Sequence, residues 1–164
     1  MKKISYSIWL MIGRIAYFLT LPALILILKK RLTTRVFIVH NGQVLVLKNW
    51  LSSGRYGLPG GGIKALESPN QALLREVLEE TNIKLFLADL KYQGLFQAKN
   101  GSVKYSYHLW TVNLDKKVKI TKQFFEITSW NWLDLNNLKD NYLTEEVLKG
   151  LEVWQKNNES VTII

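Results

Sequence analysis

The stretch YGLPGGGIKALESPNQALLREVLEETNI, residues 56–83, decides the fold. It starts with a loop that carries three consecutive glycines, Gly60–Gly62. Glycine permits backbone conformations, and a close approach of a ligand, that a side chain would block. After the loop, leucine and valine recur at helical spacing among charged residues. The stretch therefore predicts a glycine loop that leads directly into an amphipathic helix.

Both ends of this helix carry capping signals. Ser68 is a favoured N-cap, Pro69 suits the first helical position, and Gln71 completes a capping box with the serine. Asn82 can take the left-handed conformation that ends a helix. We therefore expect a helix over residues 69–81.

The helix separates hydrophobic from acidic side chains, because residues three and four positions apart share a face. One face carries Leu74, Val77 and Leu78, and the opposite face carries Glu76, Glu79 and Glu80. Like-charge pairs at this spacing cost about 0.2 to 0.5 kcal/mol each. The acidic face has two interpretations: a solvated surface, or a site for a hard cation such as magnesium, which prefers oxygen ligands.

Short strands surround this unit. An Asn41-Gly42 turn between two apolar runs predicts a hairpin, and a second pair of strands, a further strand and an amphipathic helix follow. The predicted segments are 36–39 and 44–47 for the hairpin, 91–97 and 103–114 for the second pair, 124–135 for the further strand, and 143–154 for the helix. Strands with interposed helices favour a layered α+β domain with a mixed sheet.

The same stretch resembles the signature of the Nudix hydrolases, Gx5Ex7REUxEExGU, in which U is an aliphatic residue. Counted from Gly61, eight of the nine specified positions match over 23 residues. They are Gly61, Glu67, Arg75, Glu76, Val77, Glu79, Glu80 and Ile83. The exception is Asn82 in place of glycine, and asparagine is the best non-glycine residue for a left-handed cap. A chance match to so many fixed positions is improbable, far more so than for a lone glycine loop.

The resemblance implies an α+β domain with the Nudix fold, an α/β/α sandwich with a mixed β-sheet, over residues 32–164. It also implies a metal site. Glu79 and Glu80 would bind Mg²⁺ together with the carbonyl group of Gly60, and Mn²⁺ is an alternative metal. Glu76 would be a further ligand or would orient the attacking water.

Three more residues gain roles from the resemblance. Glu67 and Arg75 would form the ion pair that fixes the loop against the helix. Glu126 stands six residues before Trp132, which matches the position of a distal carboxylate that acts as ligand or base in family members. An ordinary exposed strand residue is the alternative interpretation of Glu126.

The composition limits the classes of partner and chemistry. With 164 residues the chain is long enough for one domain with a core but not for two. A net charge of +9 favours anionic partners, such as phosphates, nucleic acid or anionic lipid. The absence of cysteine excludes disulfides, zinc thiolate sites and a cysteine nucleophile. We expect a cytoplasmic protein, with the inner face of the membrane as the alternative location.

An apolar stretch between basic residues precedes the domain, and we treat residues 1–31 as a separate hydrophobic helix. As one helix, residues 4–28 would be about 37 Å long, enough to cross a hydrocarbon core of roughly 30 Å. Arg14 near the middle costs about 2.5 to 3.5 kcal/mol on insertion scales, and Pro22 would bend the helix. A helix on the membrane surface or against a partner, a true span, and packing on the domain itself all stay open.

The expected activity is Mg²⁺-dependent hydrolysis of a diphosphate linkage in a nucleoside diphosphate derivative or nucleoside triphosphate. The candidate catalytic residues are Glu76, Glu79, Glu80 and Glu126. Trp50, Arg55 and Tyr56 precede the signature, where an aromatic ring could stack on a base and an arginine could meet a phosphate.

Two other functions stay open: a membrane-associated enzyme that acts on a lipid-linked diphosphate, and a noncatalytic nucleotide-binding regulatory domain. The expected partner is a small nucleotide or diphosphate. We expect no specific nucleic acid partner, and the chain could be a monomer or a homodimer.

Overall fold

The computed structural model describes residues 8, 11–16, 19–20, 32–50, 54–100, 103–120, 126–138 and 142–159. The strands are β1 (Leu32–His40), β2 (Gln43–Asn49), β3 (Lys91–Asn100), β4 (Val103–Asn113) and β5 (Ile127–Asp134). The helices are α1 (Pro69–Thr81) and α2 (Glu145–Glu159), with short 3-10 helices at Leu87–Asp89 and Leu135–Asn137. Residues 8, 11–16 and 19–20 are also helical.

The five strands form one mixed sheet in the order β3-β4-β1-β2-β5. β1 and β4 are parallel, whereas the other neighbours pair antiparallel. Asn41 and Gly42, with φ of 45° and 71°, make the two-residue turn between β1 and β2. Positive φ at both positions matches the right-handed twist of the strands. The predicted mixed α+β fold is confirmed.

In the described part of the chain, each face of the sheet packs against one helix. Alternate residues of β1 point to opposite faces, so Val36 and Ile38 join the core under α1 while Phe37 and Val39 join the core under α2. Both cores contain fully buried side chains from the helix above them. The central strand is therefore covered on both sides, as the three-layer expectation requires.

Beyond the hairpin turn, β1 and β2 separate and the glycine loop inserts between them. Gly57 pairs with Leu47 of β2. On the other side, the backbone N–H groups of Thr34 and Val36 in β1 donate to the carbonyls of Gly61 and Pro59 at 2.9 and 3.0 Å. The loop thus occupies the position of a further strand, and its backbone is fixed by the sheet.

The capping signals of α1 are realised in the structure. The Ser68 side chain accepts a hydrogen bond from the backbone N–H of Gln71, and the Gln71 side chain accepts one from the N–H of Ser68. Asn82 has φ 59° and ψ 20°, and its N–H donates to the carbonyl of Leu78 at 2.9 Å. The predicted bounds of this helix are confirmed.

The predicted faces of α1 need a correction. Leu78 is 44% exposed, whereas Glu80 is only 8% exposed. Leu73 and Val77 are fully buried, because they point at the β1 side of the sheet. Glu80 lies three positions after Val77 and is turned towards the glycine loop, which covers its carboxylate. Spacing alone could not reveal a loop that packs over one edge of the helix.

The final helix begins later than predicted. Leu143 instead forms a parallel bridge with Tyr56. The N–H of Tyr56 donates to the carbonyl of Tyr142, and the N–H of Thr144 donates to the carbonyl of Tyr56, both at 2.9 Å. Leu143 is buried at 2% exposure within this short pairing, ahead of the first helical residue, Glu145. The apolar side chain of Leu143 fits the spacing of the predicted helix, but its backbone pairs with Tyr56 instead.

Most of the apolar N-terminal stretch lies outside the described residues. Within the part that the structure describes, no helix combines the length and hydrophobicity needed to cross a membrane. The expectation of one helix over residues 4–28, and of a separate segment 1–31, stays a prediction.

Candidate active site

Gly60 lies at the centre of the glycine loop and is held by one acidic and one basic side chain. Its N–H donates to Oε2 of Glu80 at 2.8 Å, and its carbonyl oxygen accepts a hydrogen bond from Nη1 of Arg35. Its φ is +127°, and a Cβ there would lie 2.2 Å from the carbonyl oxygen of Thr34. The loop can take this path between the strands only with glycine at this position.

Glu80 is a buried carboxylate among other charges. Burial raises the pKa of Glu80 to about 8, against the hydrogen bond from Gly60 and the charge of Arg35, which lower it. The negative charges of Glu76 and Glu126 raise this pKa further. The ionised forms of three carboxylates therefore repel one another at the loop, and a bound cation would reduce this repulsion.

Arg75 links the acidic residues of the signature. Its Nε and Nη2 donate to the two carboxylate oxygens of Glu67 at 2.8 and 2.9 Å, a bidentate pair. This pairing lowers the pKa of Glu67 to about 2. Nη1 donates to Glu76 at 2.6 Å and to Glu79 at 3.2 Å, and Nη2 reaches the Gly62 carbonyl at 3.1 Å. One guanidinium thus joins the loop to the helix.

Glu76 lies directly against the loop. A Cβ on Gly61 would be 2.4 Å from the carboxyl carbon of Glu76, so a side chain there would displace the carboxylate. Among the residues that the structure describes, no three acidic or histidine side chains are already grouped as a metal site. In this structure Glu76 and Glu79 accept hydrogen bonds from Arg75. The donor set nonetheless fits a hard cation, because Glu76 and Glu80 present carboxylate oxygens along the Gly60–Gly61 backbone.

Glu126 stands at the start of β5. Its carbonyl oxygen accepts a hydrogen bond from the N–H of Trp50 at 2.6 Å, and its side chain is exposed. This contact ties it to the end of β2, close enough for its charge to act on Glu80. The structure brings Glu126 to the same end of the sheet as the signature carboxylates.

The model of the NUDIX domain family matches residues 29–151. The chain belongs to the Nudix family. This match spans the five strands, α1 and the first half of α2, so the assignment to this hydrolase family, made from the signature, is confirmed. The comparison with curated protein sequences gives no match.

Solved structures with the Nudix fold superpose on this chain. A MutT NUDIX hydrolase from Burkholderia pseudomallei is 22% identical and covers 74% of this chain and 95% of its own, with a TM-score of 0.65. A C. elegans Ap4A hydrolase is 17% identical, with coverages of 79% and 98% and a TM-score of 0.65. The NUDIX domain of Shewanella oneidensis NrtR, in complex with ADP ribose, is 19% identical, with coverages of 77% and 86% and a TM-score of 0.64. At these identities the likeness concerns the fold.

The three residues proposed to bind substrate have different surroundings in this Nudix domain. Trp50 packs on the N-terminal segment, because a Cβ on Gly13 would lie 2.4 Å from its indole nitrogen. Arg55 is exposed, and the Tyr56 ring lies under the Nζ atom of Lys48, 4.3 Å from the ring centroid. Tyr56 packs at the edge of the core under α2, on the opposite side of the sheet from α1.

Sequence reasoning missed a buried charged group on the α2 side of the Nudix sheet. Nε of Arg35 lies 3.3 Å from Oε1 of Glu146, and the Tyr105 hydroxyl donates to Oε2 of the same carboxylate. Glu146 is 4% exposed, and burial raises its pKa while the charge of Arg35 opposes that rise. An arginine directly before the apolar run of β1 was the available signal, but its partner is far away in the chain.

Proposed function

We propose that this Nudix domain hydrolyses a diphosphate linkage in a nucleoside diphosphate derivative or a nucleoside triphosphate, with Mg²⁺ as the metal. The observation that carries the proposal is that Glu80 is buried and accepts a hydrogen bond from the Gly60 N–H. Glu76 and Glu126 are close enough for their charges to raise the pKa of Glu80. Ionisation of Glu80 in these surroundings is costly without a cation. A structural acidic surface would leave Glu80 in water, whereas this side chain is 8% exposed.

The carboxylates at the loop would have different roles. Glu76, Glu79 and Glu80, with the Gly60 carbonyl, would hold the metal, while the bidentate contact from Arg75 to Glu67 fixes the loop against α1. A Mg²⁺ ion held by these residues would offset charge on the diphosphate oxygens and would lower the pKa of a bound water. A carboxylate, with Glu126 as one candidate, accepts the proton of the attacking water. The water oxygen forms a bond to phosphorus as the phosphoanhydride bond breaks.

The products follow from the linkage that is cut. A nucleoside diphosphate joined to another group would give a nucleoside monophosphate and a phosphorylated remainder, and a triphosphate would give diphosphate. The related folds were solved for an Ap4A hydrolase and for a domain in complex with ADP ribose. Both names refer to nucleotides with linked phosphates, which supports this substrate class.

The test is hydrolysis of nucleoside triphosphates, nucleotide sugars, ADP-ribose and dinucleoside polyphosphates by wild type, Glu79→Gln and Glu80→Gln, with and without Mg²⁺. We expect metal-dependent turnover of one class and a loss of about 100-fold or more in each variant, since proton transfer and charge stabilisation at such sites contribute factors of this size. Asp89→Asn, an exposed carboxylate outside the loop, is the control and should match wild type. Nucleotide binding without any turnover would favour a noncatalytic regulatory domain and reject the proposal.

A second candidate is the same chemistry on a lipid-linked diphosphate at a membrane surface. One observation favours it: Ile8, Met11, Ile12, Ile15 and Leu19 are all at least 39% exposed. Their spacing of three and four positions puts them along one side of a helix. Binding to lipid vesicles separates this candidate from an enzyme of soluble nucleotides.

A further inference from the structure

Arg35 is a charged residue on the α2 side of the central strand. Its Nε atom lies 3.3 Å from Oε1 of Glu146, and the two side chains are only 18% and 5% exposed. Replacing a buried ion pair by apolar residues of similar size is often neutral or even stabilising, because both charges lose their hydration on burial. Stability therefore does not explain why an arginine stands directly before the apolar run of β1.

Glu146 is held by several parts of the fold, so it keeps the guanidinium in one place. Its Oε2 atom accepts a hydrogen bond from the Tyr105 hydroxyl of β4, and the carboxylate accepts another from the backbone of Leu58 in the glycine loop. A Cβ on Gly57 would lie 3.0 Å from Oε1, so the loop passes directly beside the carboxylate. The ion pair thus joins β1, β4 and α2 to the loop that carries the candidate metal site.

Both backbone polar groups of Gly60 are bonded to side chains. β1 bonds the carbonyl groups of the two neighbours, Pro59 and Gly61. The N–H of Gly60 itself donates to Oε2 of Glu80 at 2.8 Å, and its carbonyl accepts a hydrogen bond from Nη1 of Arg35. Glycine has no side chain that would limit rotation of its backbone. Glu80 and Arg35 therefore set the orientation of the polar groups of Gly60, one from each side of the sheet.

The contact from Arg35 is compatible with a cation at the loop. A carbonyl oxygen has two lone pairs, and the hydrogen bond from Arg35 uses only one of them. Glu146 neutralises the guanidinium, which reduces the repulsion between Arg35 and a cation beside Glu80. The arginine can therefore hold the Gly60 carbonyl while that oxygen serves as a metal ligand.

We propose that Arg35 is a positioning residue of the candidate metal site, because it holds the Gly60 carbonyl from the α2 side while Glu146 holds the arginine. Arg35 acts through Gly60 and is itself neither a metal ligand nor a catalytic residue. This role rests on the proposed function and adds to it a residue outside the signature. Loss of groups that orient metal ligands typically weakens metal affinity by about 10- to 100-fold.

The test replaces the ion pair as a whole, with Arg35→Met and Glu146→Leu in one variant. Because the pair is exchanged for apolar side chains of similar size, the melting temperature should stay close to that of wild type. In titration calorimetry with Mn²⁺ as the only added metal, this double variant should bind about tenfold more weakly. Arg35→Lys keeps the charge but lacks the fork that reaches Glu146 and Gly60 together, so it should weaken Mn²⁺ binding in the same direction.

A measurement without metal tests the positioning directly. In EDTA, hydrogen exchange of the Gly60 amide, followed by NMR, should be about tenfold faster in the double variant, because one charge-assisted hydrogen bond no longer opposes local opening. The amide of Leu114, which donates to the carbonyl of Val39 at 2.8 Å near the far end of β1, should exchange as in wild type. A merely structural ion pair would change the exchange of both amides or of neither.

Lys149→Met with Glu152→Leu is the matched control. These changes remove a more exposed ion pair, with a distance of 2.7 Å, from the same helix by the same substitutions, and they leave the net charge unchanged. The Lys149 side chain lies over the ring of Phe96 in β3, away from the loop. Mn²⁺ affinity and exchange of the Gly60 amide should therefore equal those of wild type.

Two results would overturn the role of Arg35. Either both Arg35 variants bind Mn²⁺ as wild type does, or they bind it more tightly, which would mean that the arginine competes with the metal for the Gly60 carbonyl. If the double variant does not melt cooperatively, Arg35→Lys decides alone.

The outcome for the proposed function is separate. If wild type hydrolyses nucleotides while the Arg35 variants keep their Mn²⁺ affinity, the proposed function stands and only the positioning role falls. If the variants weaken Mn²⁺ binding and wild type hydrolyses no substrate, the positioning role stands and the proposed function falls. A wild type that binds no Mn²⁺ would remove both.

Discussion

Glu80 is buried, which favours its protonated form, but it has to be ionised to bind a metal. These two conditions conflict as long as no metal is bound. The carboxylate is buried against the Gly60 N–H, and its pKa of about 8 means that it holds a proton at neutral pH. A cation ligand must be ionised, so metal binding at this residue would release that proton. The apparent metal affinity should therefore rise with pH up to about 8.

The same pKa shift makes stability depend on pH. The folded pKa of Glu80 lies above the ordinary value of 4.5, so its contribution is fully present below pH 4.5 and is lost as the pH rises through 8. Glu80→Gln keeps an acceptor for Gly60 but does not titrate. In EDTA we expect the variant to be more stable than wild type at pH 8.5, by on the order of 2 kcal/mol, with the difference vanishing near pH 5.

Urea unfolding at pH 5, 7 and 8.5 measures this difference, and Asp89→Asn should follow the pH dependence of wild type. If the free energies of unfolding of wild type and Glu80→Gln changed in parallel with pH, Glu80 would ionise in the folded chain as readily as in the unfolded one.

The C-terminal end of α1 depends on the backbone conformation of one residue. Asn82 ends the helix in a left-handed conformation, in the position where the Nudix signature has glycine. Alanine in that conformation costs roughly 1 to 2 kcal/mol, whereas asparagine tolerates it. We expect Asn82→Ala to lower the free energy of unfolding by about 1 kcal/mol and Asn82→Gly to change it by no more than about 0.5 kcal/mol.

Urea midpoints would measure both changes, with Lys84→Ala, at an exposed position without positive φ, as the control. If alanine and glycine had the same effect at position 82, the left-handed cap would be irrelevant to stability.

Elements whose signals are local were predictable from the sequence. The caps of α1 and the Asn41-Gly42 turn depend on neighbouring residues, and the structure has them at the expected positions. The burial of Glu80 was not predictable, because it depends on a loop that inserts between two strands. The pairing of Arg35 with Glu146 depends on β1 meeting the last helix, which no local pattern encodes.

At the scale of the whole molecule, the apolar side chains of the N-terminal segment are the feature that the Nudix domain leaves uncovered. Ile12 and Ile15 are 39% and 50% exposed. Burial of one isoleucine side chain contributes roughly 2 kcal/mol. If the segment binds lipid, Ile12→Asp and Ile15→Asp should each weaken binding to anionic vesicles about tenfold or more.

Co-sedimentation with vesicles measures this binding. Leu66→Asp is the control, because Leu66 is fully exposed but lies outside the segment. Equal sedimentation of all four proteins, or none for wild type, would remove the support for a membrane-associated enzyme.

The insertion of the glycine loop between β1 and β2 has a consequence for how the site can move. The amides of Thr34 and Val36 are bonded to the loop, so the loop cannot detach without breaking the bonds of the central strand. Amide hydrogen exchange at these two residues should therefore proceed only through global unfolding, like that of a core strand. Inactivation on heating and cooperative melting are then one event, and any gating of substrate entry has to come from the surfaces around a rigid loop.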